Sequence, residues 1–332
     1  MSGRPGSGTP AVRHPWWRRP ALTCACVVWL APVEGEPPAP LAYITNQGSN
    51  DVSVVDLDAR RVLQTIKVGR SPAGIAVDVG AGRAFVSNPD SREVSVIDLG
   101  SRAVLASLPA GSGPVGIATS PDGRRLYVAD WYADVLLVFD ALSLAAVGSV
   151  PVGRAPAGIV VSPDNTRVYV AARDDDAVVV VDAIGLKRIA TYPAGSHPFA
   201  LGISEDGRRL WALNVLSDDV TVLDLPLGRE LARIKVGRAP YGIAFDRTGR
   251  HAYVTNQHSA SLTVIDTATL KVEATWPACD YPEGIEVLKD RVYVVSWMED
   301  ALCIHDAGSG DRLAQVPLGR NPRGFGRFVD AR

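Results

Sequence analysis

One seven-residue phrase recurs seven times along this chain and constrains its fold more than any other feature. Its clearest copy is Gly-Arg-Ala-Pro-Ala-Gly-Ile, from residue 153 to residue 159. The proline of the phrase stands at positions 72, 114, 156, 198, 240, 282 and 322, so that five steps are 42 residues long and the last is 40. A fixed period of this length predicts a repeat architecture, in which each period folds as one unit and packs against the next.

Each period has the pattern of four short β-strands. A short apolar strand follows the proline, and a turn rich in glycine, aspartate or asparagine leads to a second strand. This second strand begins with an aromatic residue in every period, at Tyr43, Phe85, Tyr127, Tyr169, Trp211, Tyr253 and Tyr293. A third strand ends in aspartate and a more variable fourth strand follows, as is typical of antiparallel sheets. The sequence therefore predicts an all-β fold, a seven-bladed β-propeller with four-stranded antiparallel blades.

The order of strands also predicts how the ring closes. The repeats cover residues 41–332 as a single domain, beginning at a second strand with Tyr43 and ending after a first strand, Phe325 to Asp330. The C-terminal strand is therefore expected to complete the first blade and to leave no free sheet edge. Blades are numbered here by the aromatic residue of the second strand, from Tyr43 in blade 1 to Tyr293 in blade 7. The face that carries the loops from fourth to first strands and from second to third strands is called the top face.

The aspartate that ends the third strand is predicted to be structural. It occupies the same repeat position seven times, at Asp56, Asp98, Asp140, Asp182, Asp224, Asp266 and Asp306. A carboxylate at a strand end accepts hydrogen bonds from the backbone amides of the following turn and fixes its shape. We expect the series to hold turns rather than to perform catalysis.

The first forty residues lie outside the repeat and are predicted to be a signal peptide with a short linker. Arg13, Arg18 and Arg19 precede an uncharged run from Ala21 to Val33, which is the pattern of a secretory leader. The run is too short to favour a membrane-spanning helix, so we expect no stable membrane insertion once the leader is removed. The expected location is periplasmic or secreted. Export by the general or by the twin-arginine route, and a leader that stays uncleaved, are left open.

The repeat resembles a known family. Tyr-Val-Thr-Asn at 253–256, together with the Gly-Arg-x-Pro-x-Gly-Ile phrase, is similar to the repeats of YVTN-family seven-bladed β-propellers. Such repeats occur in exported bacterial and archaeal proteins and resemble the propeller subunits of quinoprotein amine dehydrogenases. The resemblance covers residues 41–330 and implies the fold. It does not imply one function, because propellers include lactonases, dehydrogenase subunits, haem-d enzymes and binding scaffolds.

A functional site is expected where the sequence departs from the repeat. The residue after the phrase proline should line the mouth of the central channel on the top face. It is small or aliphatic in blades 2, 3 and 4, but it is Phe199, Tyr241, Glu283 and Arg323 in blades 5, 6, 7 and 1. Aromatic area beside a carboxylate and a guanidinium is typical of a ligand pocket. We predict that the functional site lies on this arc. The alternative is that the channel is unused and that these positions have drifted neutrally.

Two further series on the top face are candidates for binding. Four arginines stand two residues before the phrase proline, at Arg70, Arg154, Arg238 and Arg320, where blade 7 has Asp280. Guanidinium groups bind anions, although arginines in loops also donate to neighbouring carbonyls. Trp131 and Trp297, in the loops after the second strands of blades 3 and 7, are candidate anchors for a partner or are packed against neighbouring loops.

Blade 7 departs furthest from the consensus. Its Cys279 and Cys303 are the two cysteines that remain after the leader, and a disulfide between them is a candidate. His305 replaces an apolar residue and is expected to be a hydrogen-bonded core histidine. His197 and His258 lie in top-face loops and are candidate metal ligands, but they lack ligand spacing. We predict no metal and no cofactor, since no haem-attachment, phosphate-loop or serine-hydrolase motif occurs.

These observations favour an exported binding or scaffold protein that holds a small ligand or a protein partner at the top-face channel mouth. A propeller subunit of a periplasmic redox assembly is one specific form of this function. The alternative is a lactonase-like hydrolase, in which Glu283 acts as base and Arg323 stabilises developing negative charge. Capture of anions or single-stranded nucleic acid by the arginines and tryptophans is a third hypothesis. The net charge of −2 makes nucleic acid an unexpected partner.

Overall fold

Seven four-stranded blades around a central channel confirm the predicted β-propeller. The structure, a computed structural model, describes residues 39–331. The predicted leader lies outside these residues. Within them no helix is long and apolar enough to cross a membrane.

The strands follow the repeat closely. Blades 1 and 2 contain β1 Leu41–Asn46, β2 Asp51–Asp56, β3 Arg61–Lys67, then β4 Gly74–Asp78, β5 Arg83–Asn88, β6 Glu93–Asp98 and β7 Ala103–Pro109. Blades 3 and 4 contain β8 Pro114–Thr119, β9 Arg125–Asp130, β10 Val135–Asp140, β11 Ala146–Pro151, then β12 Pro156–Val161, β13 Arg167–Ala172, β14 Ala177–Asp182 and β15 Lys187–Pro193. Blades 5 and 6 contain β16 Pro198–Ile203, β17 Arg209–Asn214, β18 Asp219–Asp224, β19 Arg229–Lys235, then β20 Pro240–Phe245, β21 His251–Asn256, β22 Ser261–Asp266 and β23 Lys271–Pro277. Blade 7 and the C-terminal segment contain β24 Pro282–Leu288, β25 Arg291–Ser296, β26 Ala301–Asp306, β27 Arg312–Pro317, β28 Phe325–Arg327 and β29 Val329–Asp330. Short 3-10 helices lie at Pro89–Ser91, Arg173–Asp175 and Gln257–Ser259.

The core lies between the blades, and burial explains the strand pattern. Second and third strands are buried on both faces, because each blade is covered by its two neighbours. The aromatic residues that start the second strands, such as Tyr127 and Trp211, are almost completely buried there. Fourth strands lie on the outside and keep most of their side chains exposed. The variable sequence of the fourth strand follows from this exposure.

The third-strand aspartates fix the turns that follow them, as predicted. In blade 3, Asp140 accepts hydrogen bonds from the backbone N–H groups of Leu142 and Ser143, at 3.2 and 2.8 Å. Asp266 in blade 6 accepts in the same way from the N–H groups of Ala268 and Thr269. These bonds lower the pKa of Asp140 and Asp266 below the ordinary range.

A hydroxyl group in the second strand links neighbouring blades. The Thr255 hydroxyl accepts from the Gly242 N–H at 2.8 Å and donates to the Glu283 carbonyl of blade 7, also at 2.8 Å. Ser87 makes the same pair of contacts with Gly74 and with Val115 of blade 3. The threonine of the Tyr-Val-Thr-Asn sequence is therefore part of the propeller's construction.

Ring closure follows the prediction in part and differs from it at Phe325–Arg327. Strand β29 pairs with β1 and completes blade 1, as expected. Strand β28 instead pairs in parallel with β4 of blade 2. Glycine permits this close approach, because a Cβ on Gly326, whose φ is +112°, would lie 2.3 Å from the Ile75 carbonyl oxygen. The predicted single closing strand is thus two short strands that join different blades.

Candidate functional site

Three aromatic rings fill the channel at the top face. Phe199 and Tyr241 stack with ring centroids 4.6 Å apart, and Phe325 lies 4.9 Å from Phe199 and 5.8 Å from Tyr241. All three side chains are more than nine-tenths buried. We call this group the aromatic plug. The structure brings the predicted aromatic residues of blades 5 and 6 together, but as a packed cluster rather than as the walls of an open mouth.

A buried carboxylate and a guanidinium lie beside the plug. The Glu283 side chain is only 1% exposed, and its Oε1 accepts a hydrogen bond from Gln257 Nε2 at 3.0 Å. Its Oε2 has no hydrogen-bond partner and lies 3.7 Å from Arg323 Nε. Arg323 donates instead to Gln47 Oε1 at 3.0 Å and to the Tyr241 hydroxyl at 3.2 Å. The sequence predicted the Glu283–Arg323 pair but missed the two glutamines, which follow the second strands of blades 1 and 6.

Burial controls the electrostatics of this cluster. It raises the pKa of the Glu283 carboxyl to about 7, against the opposing effect of the Arg323 charge. Burial also raises the pKa of the Tyr241 hydroxyl well above its usual value. Glu283 is therefore close to half-protonated near neutral pH, and Tyr241 remains a neutral hydroxyl.

The four loop arginines bind their own blades. Each donates to a backbone carbonyl in the loop between the second and third strands: Arg70 to Asp90, Arg154 to Asp174, Arg238 to His258 and Arg320 to Gly48, at 2.5 to 3.2 Å. This is the structural alternative that the sequence left open. In blade 7, Asp280 replaces the arginine, and its backbone N–H donates to Glu299 Oε1 at 2.8 Å. Among residues 39–331, no ion pair joins Asp280 to these arginines.

The two top-face tryptophans are partly buried by their neighbours. Trp131 lies 6.2 Å from Phe199 between ring centroids, and the Arg173 guanidinium lies 5.3 Å above its ring. Trp297 packs 5.6 Å from Tyr281, which lies 5.7 Å from His258. Trp131 thus extends the aromatic plug into blade 3, and Trp297 belongs to a separate aromatic group between blades 6 and 7.

The candidate metal ligands are not brought together. His197 lies 3.7 Å from both Asp174 and Asp176, while His258 packs against Tyr281. Within the described part of the chain, no group of three or more His, Cys, Asp or Glu side chains could hold a metal ion.

Cys279 and Cys303 are free thiols, both completely buried in the core of blade 7. The Cys279 thiol donates to the Val294 carbonyl oxygen at 4.0 Å. The third unusual side chain, His305, is buried, and its Nδ1 lies 3.1 Å from the Gly310 carbonyl oxygen while its Nε2 has no partner. The disulfide that the sequence offered as a candidate is not formed in this structure.

A cavity on the opposite side of the plug was missed by the sequence prediction. It has a volume of about 1140 Å³ and is lined by first-strand residues of the blades, including Phe325 of the plug and Glu286. The signal was present: at this position after the phrase, blades 2 to 6 have Ala76, Ala118, Val160, Gly202 and Ala244. Glu286 departs from that series as clearly as Glu283 departs from its own.

Comparison with known proteins agrees with this architecture. Residues 44–167 match the model of the YNCE-like beta-propeller family. This match and the observed fold confirm the prediction that the chain is a seven-bladed propeller repeat protein. Among the curated proteins, none matches the sequence.

Solved structures share the fold at low sequence identity. Hydrazine synthase of Kuenenia stuttgartiensis is 22% identical with a TM-score of 0.69, over 75% of this chain and 87% of that one. A functionally unknown protein from Desulfotomaculum acetoxidans DSM 771 is 14% identical with a TM-score of 0.74, over 86% and 99%. The dihydro-heme d1 dehydrogenase NirN in complex with DHE is 17% identical with a TM-score of 0.66, over 89% and 77%. At these identities the likenesses show the fold alone.

Proposed function

We propose that this protein is an exported, non-catalytic binding module whose top face holds a protein partner. The observation that carries the proposal is a set of exposed apolar side chains at one repeat position. The fifth residue after the second-strand aromatic is Tyr132, Leu216 and Met298 in blades 3, 5 and 7. These side chains are 74%, 62% and 57% exposed. Large apolar side chains that project from a loop face are typical anchors of a protein interface.

The same position explains which loops carry an arginine. In blades 1, 2, 4 and 6 the residue is Gly48, Asp90, Asp174 or His258, and its carbonyl accepts the arginine bond described above. Blades 3 and 5 have Ser112 and Ser196, and blade 7 has Asp280, in place of the arginine. Exposed apolar residues and guanidinium groups therefore occupy different blades around the ring. A matching partner presents apolar side chains to blades 3, 5 and 7.

The aromatic plug favours a protein partner over a small ligand on this face. Phe199, Tyr241 and Phe325 occupy the space that a small molecule would enter. A ligand here would have to displace packed rings, whereas a protein can lie across the whole face. A broad contact of this kind fits the size of ordinary protein interfaces, about 800 Å² on each partner.

The aromatic plug also favours a binding module over the lactonase-like alternative, because it blocks access to Glu283. The Glu283 carboxyl has a pKa near 7, which suits a general base, and the neighbouring guanidinium of Arg323 would stabilise developing negative charge. However, the side chain is only 1% exposed, so a substrate reaches it only if the plug opens. Hydrolysis remains the second hypothesis, and the 3.7 Å separation of Glu283 from Arg323 is the observation that favours it.

Membership of a redox assembly is a narrower form of the proposal. Two of the similar structures are a hydrazine synthase and a dihydro-heme d1 dehydrogenase. At this identity the likeness supports the analogy only through the shared fold. We propose a redox protein as the first class of partner to test.

Affinity capture from the native host tests the proposal. The top-face variant carries Tyr132→Ser, Leu216→Ser and Met298→Ser, and the control carries Leu105→Ser, Ile184→Ser and Leu227→Ser. The control residues are also exposed, at 54%, 85% and 62%, and lie on fourth strands or opposite-face turns. After crosslinking in the cell, we expect one protein to be captured by the wild type and the control, and lost from the top-face variant. Equal capture by all three, or capture of nothing specific by the wild type, would contradict the proposal.

A further inference from the structure

The cavity below the aromatic plug has the form of a small-molecule pocket. Its walls include one apolar side chain from the first strand of each of five successive blades: Ile117, Ile159, Leu201, Ile243 and Ile285. Its lining continues to the turns at residues 79–81 and 121–124, so it opens on the face opposite the top face. Phe325 belongs both to its wall and to the plug. The cavity is therefore closed at one end, and its 1140 Å³ is enough for a drug-sized molecule.

Glu286 places a carboxylate in this wall where five other blades have small or aliphatic residues. Its Oε1 accepts a hydrogen bond from the Phe328 N–H at 3.1 Å, which fastens the closing segment. A neutral glutamine would accept the same bond. The negative charge is therefore not needed for closure, and burial makes it costly, since the pKa of the Glu286 carboxyl is raised to about 7. Arg327, which also lines the cavity, opposes this rise in the pKa, and a cation in the pocket would favour the charged carboxylate further.

The other residues that line the cavity also favour a cation. Carboxylates of Asp78, Asp122, Asp140 and Glu286 outnumber the guanidinium groups of Arg124 and Arg327. Asp122 and Asp140 are held by serine and turn amides and pair with Arg124 and Arg125 at 3.8 and 3.3 Å, but Asp78 Oδ2 is buried without a hydrogen-bond partner. Phe245 and Phe325 add aromatic rings to the wall, and aromatic faces attract cations.

We propose that the cavity below the plug binds an organic cation with an apolar body, and that Glu286 is its counter-ion. The apolar body contacts the isoleucine and leucine side chains, and the cationic group donates to the Glu286 carboxylate. This site is independent of the protein partner proposed for the top face.

Three probes of equal chain length test the charge preference. Binding of n-octylammonium, n-octanol and n-octanoate to the full chain is measured by calorimetry below the concentrations at which they form micelles. We expect n-octylammonium to bind most tightly and n-octanoate least. Glu286→Gln should weaken n-octylammonium about tenfold, the size of one charge-assisted hydrogen bond, and leave n-octanol within about twofold. Glu205→Gln, an exposed change on the same face away from the cavity, should alter neither.

A second variant separates cavity binding from surface adsorption. Val160→Trp places a large ring at the partly exposed wall position of blade 4 and should abolish binding of all three probes. Far-ultraviolet circular dichroism and the thermal midpoint establish that each variant is folded. Absence of n-octylammonium binding, equal binding to wild type and Glu286→Gln, tighter binding of n-octanoate, or binding that survives Val160→Trp would each overturn the proposal.

Discussion

At the scale of single residues, the same chemical groups serve construction in one place and recognition in another. The loop arginines resemble an anion site in sequence, but each donates a hydrogen bond to a backbone carbonyl of its own blade. The exposed Tyr132, Leu216 and Met298 carry no such local contact and are the residues left to meet a partner. The position of a residue in the repeat therefore predicts where its side chain lies. Whether that side chain is available for binding depends on the hydrogen bonds and contacts that it makes within the chain.

Glu283 should make stability depend on pH. Its pKa is about 7 in the folded protein and 4.5 ordinarily, so the folded state binds more protons between these values. Its contribution to the free energy of unfolding is therefore greatest at low pH and is lost as pH rises through this range. The loss is at most roughly 3 kcal/mol, at about 1.4 kcal/mol for each unit of pKa shift. Urea unfolding at about pH 5 and pH 8 should show a smaller decrease for Glu283→Gln than for wild type. Identical decreases would contradict the assignment, and Glu205→Gln, at an exposed position, is the control.

The two cysteines should be free but protected. Cys279 and Cys303 are completely buried thiols, so alkylation of the native protein should add no label, and alkylation after denaturation without reductant should add two. Intact mass gives the count directly. No label after denaturation would instead demonstrate the disulfide that the sequence suggested.

At the scale of strands and loops, the contact that a single substitution tests most simply is the Thr255 hydroxyl bridge between blades 6 and 7. Thr255→Val keeps the shape of the side chain but leaves the Gly242 N–H and the Glu283 carbonyl without their buried partner. We expect a loss of about 1–3 kcal/mol in the free energy of unfolding. Thr275→Val, on an exposed fourth strand, should change it little. Equal stability of Thr255→Val and wild type in urea would show that the bridge contributes nothing.

Most elements were predictable because the repeat places the same residues in the same environment. The aromatic residue that starts each second strand, such as Tyr127, predicts its strand from the sequence alone, and the turn aspartates behave as expected. The parallel pairing of β28 was not predictable, since Phe325 has the same place in the phrase as the isoleucines of other blades. Likewise, Phe199 and Tyr241 were placed on the correct arc, but the sequence alone did not show that their rings stack and pack against Phe325.

At the scale of the whole molecule, the two ends of the channel differ in character. The top end is closed by packed rings and surrounded by exposed apolar side chains, which suits a protein surface. The other end opens into a cavity whose wall carries Glu286, which suits a small molecule. One repeat scaffold therefore offers two kinds of recognition on opposite faces.

Export remains a prediction from residues outside the described structure. We expect the protein isolated from its native host to lack the leader, with a new N-terminus between Val33 and Pro40. Intact mass spectrometry measures this. A mass that includes Met1 would contradict cleavage.

Oxidative footprinting tests the central claim, partner binding through the top face, most directly. The protein is exposed to hydroxyl radicals in the native host's envelope extract and in buffer, and oxidation is quantified at Tyr132, Leu216 and Met298 and at the opposite-face residues Ile184 and Leu227. All five side chains are at least 57% exposed in the isolated chain and should be oxidised readily in buffer. The account predicts severalfold protection of the first three in the extract and none of the last two. Unchanged oxidation of the top-face residues, or protection confined to Ile184 and Leu227, would contradict it.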